Sequence, residues 1–519
     1  MKKIFQIVTL VLVIGSMAAC NKSFDSLEAD PNRATSVPAN LILNNVLLNF
    51  TNGGFSTKQR ANQYYLCNYD YYGNNEYNWT GYSFGNYNTL KNIAQMEAEA
   101  TKSVASPNPY TAIGKFLKAY FLYDLTMNLG DIPVSDALKG LTNVTPKYDT
   151  QKQVFQQILT YLEQANTEMG TLKTTNYVLA SDFYYGNDLS KWQKAVNAFK
   201  LRVLIQLSNK EADADLAIKT KFAETISNPT KYPVFASDAD NLTFVYNNQF
   251  NKYSTNPDNF GFDATRYNMS STYLGNLASL KDPRTFFVAE PASALVASGK
   301  LPNSYDAFAG AGAGEDLATM SKNAGDGKYS FINRKRYYQT YTAETTTQVG
   351  YQELCFNMAE AAHRGWITGQ SAETWYQNGI KASQAFYGVK EGANTVTFQK
   401  PSGTLAESVT YAVDYKYADY YAQATVKYAG SGTTGLNQIL LQKYLSLYQN
   451  SGAEGYYNWR RTGVPTFHIG PGTGNSQRVA LRYQYPSTER AVNKANVEAA
   501  IASQYGGADD INAKMWIIK

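Results

Sequence analysis

Histidine and cysteine are nearly absent from the chain: two His (His363, His468) and three Cys (Cys20, Cys67, Cys355) in 519 residues. That leaves little material for zinc or thiol chemistry. Charge is sparse as well, 17% against the roughly 25% of ordinary globular proteins, which rules out a charge-rich disordered chain. Lys and Arg number 47 against 42 Asp and Glu. A net charge of +5 is too mild to argue for nucleic acid. The short basic clusters Arg334-Lys335-Arg336 and Arg460-Arg461 sit in no recognisable nucleic-acid fold, and such clusters are normally solvated or paired. No Pro- or Ser-rich linker divides the chain, and no fixed-period repeat is visible. What the chain has in excess is aromatic: 42 Tyr, 24 Phe and 6 Trp, or 14%. A Tyr ring pairs an apolar face with a polar tip, so such a chain can fill a core and still line a wet surface.

The N-terminus opens Met1-Lys2-Lys3, followed by an almost wholly apolar run over residues 4–19 that ends Met17-Ala18-Ala19-Cys20. The run falls short of the ~20 residues that span a bilayer. It resembles a bacterial lipobox, with Met17 in place of the more usual Leu. That resemblance implies cleavage before Cys20 and lipidation of Cys20 by two or three acyl chains, where a single chain holds only marginally. Residues 1–19 then read as a signal peptide, 20–37 as an acylated tether and 38–519 as one large domain. Asp25, Glu28 and Asp30 loosely resemble the acidic surface-export signals of some Gram-negative lipoproteins. No later segment approaches eighteen unbroken apolar residues. Cys67 and Cys355 could pair in an oxidising envelope, but nothing in the sequence places them together, and they read rather as two buried free thiols.

Helical periodicity dominates the remainder. Trp192, Val196, Phe199, Val203 and Leu207 form an apolar stripe, with Ser190 as the expected N-cap. Residues 110–129 repeat the pattern and stop at Gly130. Further stripes run through Val154, Ile158 and Leu162, through Leu354 and Met358, and through Leu436, Ile439 and Tyr444. A helix expected from Ser371 carries Gly379 and Ser383, small residues that let a partner helix approach closely. Between the helices, residues 68–88, 247–271 and 310–330 read as long irregular stretches, which in compact domains are usually functional or disordered. The fold class is therefore mainly α: one large domain of helical hairpins with long loops.

Catalytic and metal motifs are weak. The glycines at 310, 312 and 314 lack the strand and the Lys-Ser/Thr of a phosphate cradle and read as a flexible loop. Asp238, Asp240 and Asn241 lack the Gly and terminal Glu of an EF-hand loop. His363, late in its helix, suits a cationic ring at the C-terminal dipole, and His468 has no nucleophile in a local motif. No cofactor or metal is implied. A glycosidase needs only two carboxylates, so an unrecognised pair stays open as an alternative.

One segment stands apart. Residues 68–82 hold Tyr69, Tyr71, Tyr72, Tyr77, Trp79 and Tyr82 among Asn74, Asn78 and acids. Flat rings beside amides and carboxylates suit a sugar, whose C–H faces stack while its hydroxyls find donors and acceptors. The same rings could equally cover helix ends. A second candidate runs from Asn256 through Phe260 and Phe262 to Arg266 and Tyr267.

Taken in order, Asp30-Pro31-Asn32, Gly130-Asp131-Ile132-Pro133, Asp282-Pro283-Arg284, Glu360-Ala361-Ala362-His363-Arg364-Gly365-Trp366, Gln442-Lys443-Tyr444 and Trp459-Arg460-Arg461-Thr462-Gly463 resemble the SusD/RagB family of nutrient-binding outer-membrane lipoproteins, in its SusD-like, starch-binding-associated branch. The resemblance implies tetratricopeptide-like helical hairpins and a non-enzymatic role. The protein would be lipid-anchored at the outer membrane facing the exterior, capture an oligosaccharide or in some relatives a peptide, and cap a TonB-dependent, SusC-like transporter. The shared stations read as scaffold, with Arg460 and Arg461 expected to pair with acids. Family ligand sites lie in variable loops, which implies a location rather than contacts. In that location Tyr77, Trp79 and Tyr82 are the expected platforms, and Asn74 and Asn78 the expected hydroxyl partners.

Overall fold

The apolar stripes become helices that pack on one another in chain order. The computed structural model describes residues 36–401 and 403–519. Cys20, the signal peptide and Asp30-Pro31-Asn32 lie outside the described residues. Helix α1 (Ala39–Phe50) packs against α2 (Asn86–Thr101), α2 against α3 (Pro109–Leu129), α3 against α4 (Gln151–Leu172), and α4 against α5 (Leu189–Gln206). Pro109 opens α3 where its missing N–H costs nothing, and Asn108 caps it by accepting from Tyr110 N and Thr111 N at 3.0 and 3.1 Å.

The N-cap of α5 is Asp188, not Ser190. Its carboxylate accepts from the N–H groups of Ser190 (2.8 Å) and Lys191 (3.3 Å), so Ser190 falls inside the first turn. A carboxylate also meets the positive end of the helix dipole, which a hydroxyl does less well. The expected stripe from Trp192 to Leu207 is fully buried.

The segment expected to be irregular at 310–330 contains α6 (Leu317–Gly325), and its glycines are not a flexible loop. A Cβ on Gly310 would lie 2.4 Å from the backbone of Ser270, and one on Gly314 2.1 Å from that of Ile469. Those glycines permit backbone crossings. Farther on, α7 (Tyr351–His363) and α8 (Ala372–Phe386) form the expected hairpin. Ser371 caps α8, and a Cβ on Gly379 would sit 2.8 Å from the Phe356 ring. Helix α9 (Thr433–Ser446) packs on both, followed by α10 (Glu454–Thr462).

Three small antiparallel sheets join distant parts of the chain. Strand β1 (Tyr65–Cys67) pairs with β3 (Tyr267–Met269), placing Cys67 opposite Tyr267. Strand β2 (Leu242–Phe244) pairs with β4 (Thr346–Val349), and β5 (Gly392–Gln399) with β6 (Ser408–Tyr415). Among the described residues no helix is long and apolar enough to cross a membrane.

Most of the charged stations named above are buried in the scaffold. Arg461 grips Glu360 through both terminal nitrogens at 2.5 and 2.8 Å, and Arg284 grips Asp282 at 2.7 and 2.9 Å with neither side chain exposed. Burial alone would raise the Glu360 carboxyl, yet Arg461 and Arg364 hold it down at about 2. Arg460 departs from expectation. It donates to the Leu481 carbonyl (2.7 Å) and lies over the rings of Tyr456 and Tyr457, with no acid in ion-pair contact among the described residues. The His363 ring is not favoured as a cation: burial and then Arg364 lower its pKa, and its Nδ1 lies 2.8 Å from the Tyr428 hydroxyl. Cys67 and Cys355 are buried and unbridged, and burial pushes the Cys67 thiol up to about 11.

Candidate functional site

The two segments singled out by composition lie side by side, because each runs into one of two paired strands. Asn68 continues β1 and donates its N–H to the Arg266 carbonyl at 3.0 Å, while its Nδ2 donates to the Thr265 carbonyl at 2.9 Å. This pairing sets the Arg266 guanidinium 5.4 Å from the centre of the Tyr69 ring, which is half exposed at 50%. Tyr69 and Arg266 belong to the wall of an open cavity of about 550 Å³. Ligand sites typically fall between about 300 and 1,000 Å³.

The other walls come from segments the composition did not single out. Tyr329 is held by its hydroxyl, which donates to Glu315 at 2.7 and 2.8 Å. The hairpin of β5 and β6 supplies Phe398 and Tyr411, whose ring centres are 5.6 Å apart. Glu290 and Arg334 line the cavity as a buried ion pair at 2.7–2.8 Å. The same carboxylate accepts the N–H of Arg334 (2.8 Å) and of Gln399 (3.3 Å), so it also ties the end of β5 to the cavity wall. Burial keeps the Glu290 pKa raised despite Arg334.

The expected platforms fare differently. Tyr77 is 2% exposed and donates its hydroxyl to the Ala61 carbonyl at 2.9 Å, so its ring is core and offers no face to a ligand. Trp79 is half-buried, stacked on Tyr483 at 4.2 Å and 7°, and Tyr82 donates to Asp124 at 2.6 Å. Asn74 accepts from the Glu76 N–H (2.7 Å). Asn78 donates to Glu76 (2.6 Å) and accepts from Asn475 N (2.6 Å), so both amides already serve the loop. These three rings and two amides thus make their contacts within the loop and to the segments beside it. Tyr71 is 82% exposed, with Tyr72 set edge-on to it at 5.2 Å.

In the second segment Phe262 is exposed and Phe260 packs edge-on against Tyr338. Tyr267 stacks on Phe55 and contacts Asp263 at 3.4 Å. The residues that reasoning from sequence missed are Tyr329, Phe331, Phe398 and Tyr411. Strand-like alternation around residues 394–399 and 408–415 was the signal that could have pointed to the last two.

The weaker chemical candidates find local partners. Asp240 is engaged by Lys194 (2.8 Å) and Ala236 N (2.7 Å), and no group of three His, Cys, Asp or Glu side chains converges among the described residues. His468 Nδ1 lies 2.8 Å from Ser271 Oγ, a contact between segments remote in sequence.

The helical scaffold has counterparts among known proteins. The SusD-like family described as "Starch-binding associating with outer membrane" matches residues 31–486, and the chain belongs to that family. A SusD homolog from Bacteroides fragilis NCTC 9343 superposes with a TM-score of 0.80 at 29% identity, covering 93% of this chain and 100% of its own. A second SusD homolog from the same strain gives 0.77 at 29%, with the same coverage. A chitin-binding SusD homolog from Flavobacterium johnsoniae gives 0.67 at 19%, covering 93% and 98%, a likeness of fold. No curated protein matches the chain.

Proposed function

We propose that this protein captures an oligosaccharide at the outer-membrane surface, in the cavity edged by Tyr69, Tyr329 and Tyr411, and passes it to a TonB-dependent, SusC-like transporter. The lipid anchor at Cys20 would hold it there, facing the exterior. The observation that carries this reading is the cavity itself: an open space of about 550 Å³ whose walls include five aromatic rings, Tyr69, Tyr329, Phe331, Phe398 and Tyr411, together with Arg266 and Lys400. Rings stack on sugar C–H faces for about 0.5–1.5 kcal/mol per good contact, and a few such contacts with hydrogen bonds reach micromolar affinity. The exposed ring of Tyr71 extends the aromatic surface beside Tyr72.

Binding rather than hydrolysis is favoured by the carboxylates. Glycoside hydrolysis employs two of them across the scissile bond. The cavity wall has one, Glu290, and Arg334 occupies it. The test is calorimetry of the purified chain against a glycan panel, with Tyr69→Ala and Tyr411→Ala as controls, and affinity purification from the membrane to recover the transporter. Release of reducing ends from any glycan, or affinity unchanged in both variants, would sink the reading.

A further inference from the structure

The charges on the cavity wall do not balance. Four Arg, Lys, Asp or Glu side chains line it: Arg266, Glu290, Arg334 and Lys400. Glu290 and Arg334 neutralise one another at 2.7 Å, with side chains 4% and 5% exposed. Arg266 and Lys400 are exposed, and neither has a carboxylate within ion-pair distance among the described residues. Glu407, whose carboxylate feels Lys400, is bonded instead to the N–H and hydroxyl of Thr404 at 2.8 and 3.2 Å. Among the described residues the wall therefore presents two cations outside ion-pair distance of any carboxylate, and its one acid, Glu290, is taken up by Arg334.

Arg266 is also oriented. Its guanidinium lies 5.4 Å from the Tyr69 ring centre, a cation–π contact that steadies the fork while its N–H edges stay unpaired with acid. A planar fork held beside a stacking ring matches a carboxylate borne on a sugar ring: the sugar face meets Tyr69 and the carboxylate meets the guanidinium.

Resting on the reading of this cavity as a glycan site, we propose that its ligand is an acidic oligosaccharide, one whose sugars carry uronic acid carboxylates read by Arg266 and Lys400. The field of two unpaired cations draws such a ligand in and disfavours cationic sugars.

The test is isothermal titration of the full chain with the trimers of galacturonate, glucuronate and mannuronate, each beside its uncharged methyl ester. Low and high salt are compared. At low salt at least one acid trimer binds about tenfold tighter than its ester, and the ratio shrinks as salt rises. Arg266→Gln and Lys400→Gln each reduce the acid-to-ester ratio several-fold. Equal binding of acid and ester for every pair, or a ratio that neither variant changes, overturns the acidic specificity and leaves the glycan reading standing. Binding of a tri-glutamate peptide, with no sugar from this set or a neutral panel binding, overturns the glycan reading and this inference with it.

Discussion

Asn68 and Arg266, 198 positions apart in the chain, are joined by a main-chain hydrogen bond of 3.0 Å that extends the pairing of β1 with β3. Because of it, the Tyr69 ring and the Arg266 guanidinium share one edge of the cavity. Two segments that each looked like an aromatic loop become parts of one surface.

Tyr69→Ala and Tyr411→Ala should each weaken oligosaccharide binding by about two- to tenfold, the loss of one stacking contact. Tyr71→Ala should weaken a longer oligosaccharide more than a short one, since its ring is 82% exposed. Calorimetry across a length series checks both, and equal losses at every length would remove Tyr71 from the site.

Trp79→Ala should cost stability rather than affinity. Losing its stack on Tyr483 destabilises the fold by about 2 kcal/mol, while glycan affinity of the folded variant stays within about twofold. Tyr77→Phe, which removes the bond to the Ala61 carbonyl, should cost about 1 kcal/mol. Denaturant titration measures the first effect in each case and calorimetry the second. A large affinity loss in stable Trp79→Ala protein would return that ring to the binding surface.

Arg461→Met leaves Glu360 buried without its main partner and should destabilise the protein by about 3–5 kcal/mol. Replacing both residues, Arg461→Met with Glu360→Leu, should recover much of that loss. Urea melts of the single and double variants distinguish an ion pair needed for burial from one that adds net stability.

Asp131 sets a pH dependence. Burial, with a small addition from Asp149, pushes its carboxyl up to about 7 even though it accepts the Gln151 N–H at 2.7 Å. Between about pH 4 and 7 the unfolded chain ionises this group and the folded chain keeps its proton. Its contribution to stability therefore declines as pH rises toward 7 and is fully lost above it. Asp131→Asn keeps an oxygen for Gln151 and should raise the melting temperature at pH 8 with little change at pH 4. Equal shifts at both pH values would show that ionisation is not the cause.

Helix content was legible in the sequence because apolar spacing is local: the stripe from Trp192 to Leu207 and the close approach at Gly379 could be read from neighbouring residues. The aromatic surplus was legible as a total, and much of it is core, as with Tyr77, Tyr123 and Trp192. What the sequence could not resolve was which rings face inward. Tyr77 and Tyr71 lie six positions apart in one loop, one 2% and the other 82% exposed, and their composition is alike. Only tertiary packing decides that, because a ring is buried by what lies across from it: Tyr77 is bonded to the Ala61 and Thr473 carbonyls, and Trp79 beside it stacks on Tyr483. The cavity depends on the fold in the same way. Its walls come from six stretches between residues 68 and 411, brought together by strand pairing and a buried ion pair that no local pattern announces.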